Sequence, residues 1–325
     1  MALSVWNDNK VLKKWVKKNQ EKFFDGNFNF NMMNLYSDPF LETLSNHLNV
    51  EKKYIYTGAG SSQFIPAIIS LRCWKKIYLS TLEFGLYTRS VRAFNINYEE
   101  IFSITCNDFI EQLIKKKTDK NDLLVISSPR WFSGERFDNT QISKLLNVFK
   151  GSILIDEAYI SFSKNPDGLL NLALNNDRLM VIRSFSKKYF LSGLRVGYMI
   201  TIKDIPYFRN TIIPPHSVST HSARLCTELL NDEKMLKVFD SANDCIKSSR
   251  DYLYDYLKNN DNIVVFKSEA NFITFMVKNK KYYDHCKNIL NIPGIQFFEY
   301  NQYYYIKIWI ADKRFSDKVI ERLNV

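Results

Sequence analysis

Between about residue 53 and residue 182 the chain alternates short β-rich runs with stretches of helical spacing, and this restricts its fold more than any other feature. The runs Tyr54-Ile55-Tyr56, Ile77-Tyr78-Leu79, Leu123-Leu124-Val125-Ile126, Ile153-Leu154-Ile155 and Leu179-Met180-Val181-Ile182 read as buried strands. Between them, 107 to 117 carries Phe109, Leu113 and Ile114, and 138 to 150 carries Ile142, Leu145, Leu146 and Phe149 on one helical face. Strands separated by helices predict an α/β domain with a largely parallel sheet. A ligand should then sit at the carboxyl ends of the strands.

After about residue 210 the pattern changes. Residues 233 to 258 carry Met235, Phe239, Ala242, Ile246, Leu253 and Leu257 at the spacing of one long amphipathic helix. Strand runs come next at 263 to 266, 272 to 277, 296 to 298 and 304 to 310, with a helix around 281 to 290 and another at the end, which predicts an α+β cap. A length of 325 residues allows about two domains. The Asn- and Phe-rich stretch 20 to 34 reads as irregular.

Apolar residues at 46% exclude a disordered chain, and no run approaches the ~18 apolar residues of a membrane span. The opening Met1-Ala2-Leu3-Ser4-Val5-Trp6 lacks the pattern of a secretory signal, so a cytoplasmic location is expected. Cys73, Cys106, Cys226, Cys245 and Cys286 are odd in number and widely spaced, which predicts reduced thiols. The four histidines form no metal-ligand spacing, and no metal centre is expected. The formal charge of +11 is spread in short lysine clusters along the chain, such as Lys115-Lys116-Lys117, so it reads as solvated faces and not a nucleic-acid surface.

Three segments carry candidate chemistry. Thr57-Gly58-Ala59-Gly60-Ser61-Ser62-Gln63 comes after a strand and opens an apolar helix. Glycines and the free N–H groups of a helix start can hold a phosphate, although a plain strand-to-helix turn explains the segment equally well. The apolar strand Ile153-Leu154-Ile155 ends abruptly in Asp156 and Glu157. A carboxylate there needs a cation or strong donor, which a ligand's protonated ring nitrogen would supply, and a helix cap or an Arg partner is the alternative. The third segment, Arg183-Ser184-Phe185-Ser186-Lys187-Lys188-Tyr189-Phe190-Leu191-Ser192-Gly193-Leu194-Arg195-Val196-Gly197-Tyr198, puts two hydroxyls before a lysine at a strand exit, with an arginine eight residues later. Hydroxyls and arginine suit a phosphate, and a lysine amine forms Schiff bases, so the segment asks for a phosphorylated aldehyde.

This segment resembles the S-x-S-K-x-x-x-L-x-G-L-R-x-G-Y signature of fold type I pyridoxal-phosphate enzymes, aminotransferase class I/II, and looks most like the histidinol-phosphate aminotransferase and threonine-phosphate decarboxylase branch. The resemblance extends to Asn34-Leu35-Tyr36-Ser37-Asp38-Pro39, to Gly58 through Gln63, and to Ser268-Glu269-Ala270-Asn271-Phe272. It implies a large domain over 31–215 with a mainly parallel sheet that binds pyridoxal 5′-phosphate (PLP), a small α+β domain over 216–325, and a segment 1–30 packing on the small domain. It implies Lys187 as the Schiff-base lysine and proton shuttle, Asp156 paired with the pyridinium nitrogen, Tyr159 donating to the phenolate oxygen, and Phe84 stacked on the ring. Gly60, Ser61, Ser62, Ser184, Ser186 and Arg195 would surround the phosphate. Tyr36 would reach it from the neighbouring subunit, which implies a homodimer with shared active sites.

Two departures stand out. Trp131, after Ser128-Pro129-Arg130, occupies the place of an asparagine that bonds the phenolate oxygen in the family, so either the indole reshapes the pocket or the loop moves and Arg130 acts there. Lys307 stands where the family has an arginine that grips the substrate carboxylate. The implied activity is transamination of an amino acid or amino-acid-like amine. Decarboxylation, or another lyase or cyclisation step, is the alternative, because carboxylate recognition is altered. A non-catalytic binder of this fold should have lost Lys187, and a nucleotide-binding protein using Gly58 to Gln63 predicts no visible chromophore.

Overall fold

A computed structural model describes residues 10–23, 39–205 and 217–324. Its larger sheet has seven strands: β1 (Ile55–Gly58), β2 (Ile77–Ser80), β3 (Tyr98–Ile101), β4 (Leu123–Ser127), β5 (Ser152–Asp156), β6 (Leu179–Ser184) and β7 (Gly197–Ile200). They are ordered β1-β7-β6-β5-β4-β2-β3, and β7 alone runs antiparallel to its neighbours. The sheet is therefore largely parallel, as the alternation predicts.

Helices cover both faces, which is why the central strands have no polar side. Leu124, Ile126, Ile153 and Ile155 pack with Phe109, Ile142 and Leu145 from the helices Cys106–Ile114 and Asn139–Val148. The alternate residues Leu123, Val125 and Leu154 pack with Phe64, Ile68 and Val91 from the helices Ser61–Ile69 and Leu86–Ala93. Period-two alternation along each strand feeds two separate cores. Asp138 and Gln141 close a capping box at the start of Asn139–Val148.

Two strands, β3 and β7, have no clear signal in the sequence. β3 is Tyr-Glu-Glu-Ile, and its two carboxylates suit an edge strand, where charge blocks further pairing. β7 is four residues led by a glycine, too short to stand out.

The second sheet, β10-β11-β9-β8, is antiparallel and comprises β8 (Ile263–Val265), β9 (Phe272–Val277), β10 (Ile295–Tyr300) and β11 (Tyr303–Trp309). The helices Glu233–Leu257, Lys280–Ile289 and Lys313–Leu323 pack with it, in agreement with the predicted α+β cap. The N-terminal helix Lys10–Phe23 includes the start of the stretch that reads as irregular in sequence. Trp15 ties this helix down by donating its indole N–H to Asp232 at 2.8 Å. Tyr36 lies outside the described residues.

All five cysteines are free thiols. Among the described residues no group of His, Cys, Asp and Glu could hold a metal ion, and no helix is long and apolar enough to cross a membrane.

Candidate active site

The carboxyl ends of β4, β5 and β6 finish in Ser127, Asp156 and Ser184, and all three open onto one cavity of ≈ 180 Å³. Register places Ser127 beside Asp156, so the floor of the cavity is fixed by strand pairing. Parallel strands bring these positions together although they lie far apart in the chain.

Ser184 is a helix cap. Its hydroxyl accepts the Ser186 N–H at 3.1 Å and starts the single-turn helix Phe185–Lys188, which carries Lys187 on the cavity wall. The Lys187 amine lies 5.2 Å from the centre of the Tyr159 ring and 5.9 Å from that of Trp309. Burial lowers its pKa; Asp156 opposes the shift and Arg195 adds to it. An amine so placed is nucleophilic closer to neutral pH than a surface lysine.

The two carboxylates after β5 divide the alternatives left open by the sequence. Glu157 turns away from the cavity and takes an arginine partner, accepting two bonds of 2.9 Å from Arg183 and one of 2.9 Å from the Leu169 N–H. Asp156 faces the cavity, where its donors are the Ala158 N–H at 2.9 Å and the Tyr87 hydroxyl at 3.3 Å. Burial pushes its pKa up to about 6 against the lowering effect of those donors and of Lys187. A buried acid whose hydrogen-bond donors among the described residues are both neutral is suited to receive a protonated nitrogen. Tyr159 keeps its proton, because burial and then Asp156 raise its pKa, and so it remains a donor.

At the other end, Arg195 donates to Ser62 Oγ at 2.7 Å and to the Ser192 carbonyl at 3.2 Å. Its backbone is left-handed, with φ +52°, a conformation that costs a non-glycine residue on the order of 1 kcal/mol and turns the guanidinium back over the loop. Gly60 makes room for it: with φ +80°, a Cβ there would lie 2.8 Å from Arg195 Nη2. Gly197 fits against the same loop, where a Cβ would meet Gly60 C and Ser61 N, each at 2.7 Å. Ser61 and Ser62 open the helix Ser61–Ile69, whose free N–H groups favour an anion alongside Arg195.

Of the residues singled out in the sequence, Ser61, Ser62, Phe84, Trp131, Asp156, Tyr159, Ser184, Ser186, Lys187 and Arg195 line this one cavity. Arg130 and Lys307, expected as substrate-binding residues, are not among the residues that line it. Arg130 is buried behind the cavity, paired with Glu83 at 3.5 Å and bonded to Ser80 Oγ, Ser103 Oγ and the Ser103 and Thr105 carbonyls. Its guanidinium is committed to joining the β2, β3 and β4 connections. Lys307 is fully buried on β11 and donates to the Trp131 carbonyl. Trp131 itself lines the cavity.

A family model for aminotransferase class I and II matches residues 4–325. The chain belongs to this aminotransferase class I and II family. Among relatives, it is 29% identical to a histidinol-phosphate aminotransferase of Methanococcus aeolicus over 74% of this chain, and it spans 65% of that protein's length. Among solved structures, the L-threonine-O-3-phosphate decarboxylase of Porphyromonas gingivalis superposes with a TM-score of 0.76 at 17% identity, covering 98% of this chain and 95% of that one. The histidinol-phosphate aminotransferase of Sinorhizobium meliloti, solved in complex with pyridoxal-5′-phosphate, gives 0.71 at 15% identity, covering 94% and 85%. The likeness gives this chain the fold of PLP-dependent transferases of fold type I, with a large mostly parallel sheet.

PLP is the cofactor of the family, and the residues present fit it. The fit rests on chemistry at both ends: an uncompensated buried carboxyl at Asp156, and a guanidinium with a helix start and serine hydroxyls some distance across the same cavity, with the Lys187 amine between. Tyr87, Ser127, Ala158 and Ser192 also line the cavity and received no role from sequence. Tyr87 comes three residues after Phe84, in the first turn of the helix Leu86–Ala93, and Ser127 closes β4; both positions carried the signal.

Proposed function

We propose that this protein is a PLP-dependent aminotransferase acting on an amine through Lys187. The observation that carries the reading is the convergence of Lys187, Asp156 and Arg195 on one cavity at the carboxyl edge of the large sheet. PLP, when bound, supplies an electron sink conjugated to the carbon that bears the substrate nitrogen.

In this reading Arg195, Ser62 and the start of Ser61–Ile69 hold the phosphate, and Asp156, mostly ionised at neutral pH, holds the ring nitrogen protonated. Phe84 and Ala158 give the ring an apolar enclosure, and Tyr159 donates to its phenolate oxygen. Lys187 would hold the cofactor through its aldehyde, and its Nζ, when free, would carry a proton between the substrate carbon and the cofactor. The lowered pKa of Lys187 suits a base of this kind. The reading extends to a homodimer with shared active sites, completed by Tyr36.

Absorption of the purified protein tests it. A band near ~420 nm on adding PLP is expected, absent in Lys187→Ala, together with keto or aldehyde product and amination of the cofactor. A protein that takes up no PLP would refute the reading, and CO₂ release without cofactor amination would assign it to the decarboxylases instead.

A further inference from the structure

The loop carrying Trp131 is fastened to the second sheet by two side chains that are partners across strands. Lys307 of β11 is paired in register with Thr274 of β9. The Lys307 amine donates to the Trp131 carbonyl, and the Thr274 hydroxyl donates to the next carbonyl, that of Phe132, at 2.6 Å. Two residues further along, the Glu269 N–H donates to the Gly134 carbonyl at 2.7 Å. From the other side, the Trp131 N–H donates to Ser127 Oγ at 2.8 Å and to Glu83 at 3.3 Å. The Trp131 peptide is thus held at both ends, from β4 and from β11.

Lys307 is enclosed as well as bonded. Its amine lies 3.7 Å from the centre of the Trp131 indole, 3.6 Å from that of Phe272 and 4.5 Å from that of Trp309. Rings this close enclose the amine and leave no approach for a carboxylate. Burial lowers its pKa, with Glu83 opposing and Lys187 adding to the shift, which further weakens it as a counter-ion. Among the described residues the cations that line the cavity are Lys187 and Arg195, and the proposed function engages both with the cofactor. The indole is therefore itself an uncharged wall of the cavity, with the enclosed Lys307 amine against its ring and Glu83, paired with Arg130, at its backbone.

An anion buried against such a wall would lose its hydration with nothing in exchange. We infer that Lys307 is a positioning residue, clamping the Trp131 peptide so that the indole forms an uncharged wall, and that the substrate presents an uncharged apolar group, not a carboxylate or phosphate, to that wall. The inference deepens the proposed function and rests on it. The substrate class is a primary amine whose amino-bearing carbon carries no carboxylate, with an apolar or aromatic body.

The test compares matched pairs on the PLP-loaded protein. With 2-phenylethylamine against L-phenylalanine at equal concentration, loss of the cofactor band is expected to be at least ~10-fold faster for the amine. Equal or faster reaction of the amino acid, by transamination or by loss of CO₂, would overturn the inference. Binding without turnover gives a second readout: by calorimetry 3-phenylpropanol should bind more tightly than 3-phenylpropionate, and the reverse order would count against the wall. Failure of the cofactor reading shows separately, as absence of the ~420 nm band.

Lys307→Met tests the clamp. It should raise KM for the amine roughly 5-fold or more with kcat within about 2-fold, because the wall touches the body of the substrate and not the reacting carbon. A selective loss of the amino acid with the amine spared would show instead that Lys307 grips the carboxylate. Should this variant not fold, Trp131→Ala reads the same wall: the preference for the amine should collapse, and an unchanged preference would defeat the proposal.

Discussion

The Tyr87 hydroxyl donates to Asp156 Oδ2 across 3.3 Å, from a helix after β2 to the end of β5, and among the described residues it is the side-chain donor that the buried carboxyl has. Strand order places β4 between β2 and β5, so the contact spans the floor of the cavity. The acidity of Asp156, and with it the protonation of a ring nitrogen beside it, depends on this neighbour.

Tyr87→Phe removes a group that lowers the Asp156 pKa, so the value should rise above about 6. The pH below which PLP binding weakens should move upward in the variant. Titrating cofactor affinity against pH checks this, and an unmoved profile would mean that the hydroxyl leaves the acid untouched.

Asp156→Asn should stabilise the cofactor-free protein at neutral pH. Folding moves the carboxyl from its ordinary 3.8 to about 6. Between those values the folded state keeps a proton that the unfolded chain has released, so stability falls as pH rises through the window, by on the order of 3 kcal/mol. The amide has no charge to bury. Its melting temperature should exceed the parent's at about pH 7.5, with the gap shrinking toward about pH 4.5, while turnover drops steeply because the ring nitrogen loses its counter-ion. A lower melting temperature at neutral pH would contradict the sign.

Arg195→Ala removes a charge-assisted bond to phosphate of about 1.5–3 kcal/mol, so PLP affinity should fall roughly 10- to 100-fold. Equilibrium dialysis measures it. Pyridoxal, which has no phosphate, should bind parent and variant about equally, and equal loss of both ligands would remove Arg195 from the phosphate site.

Gly197→Ala should cost stability and the cofactor together. The new methyl would meet backbone at Gly60 and Ser61, each at 2.7 Å, and at Arg183 O, at 2.9 Å, none of which can swing away as a side chain can. Overpacking of this kind costs about 1–3 kcal/mol, and it pushes the loop that carries Ser61 and Ser62. Thermal denaturation with and without PLP reads both effects; unchanged values in both would mean that the two strands part without penalty.

Much of this was legible in the chain itself. Apolar runs such as Leu123 to Ile126 and Ile153 to Ile155 can be buried on both faces only in a covered sheet, and helical spacing between them leaves a parallel α/β arrangement. Lys187, Asp156 and Arg195 stood out because the residue types and their strand-end positions already carry the chemistry. Tyr87 was harder to see, since its importance comes from a carboxyl 69 positions away.

The fates of Arg130 and Lys307 were decided by tertiary structure alone. Local sequence records that each is a cation beside apolar residues, and says nothing of what faces it. Arg130 meets Glu83 and the carbonyls of Ser103 and Thr105, and Lys307 meets the carbonyl of Trp131 from 176 positions away. Periodicity describes a residue's neighbours along the chain, and so it determined the helices and most strands of the sheet, while the motifs' resemblance to a family implied the cofactor. Whether a buried charge faces a ligand or a peptide carbonyl depends on groups brought beside it from elsewhere, because the interaction falls off within a few ångströms of space and takes no account of distance along the chain.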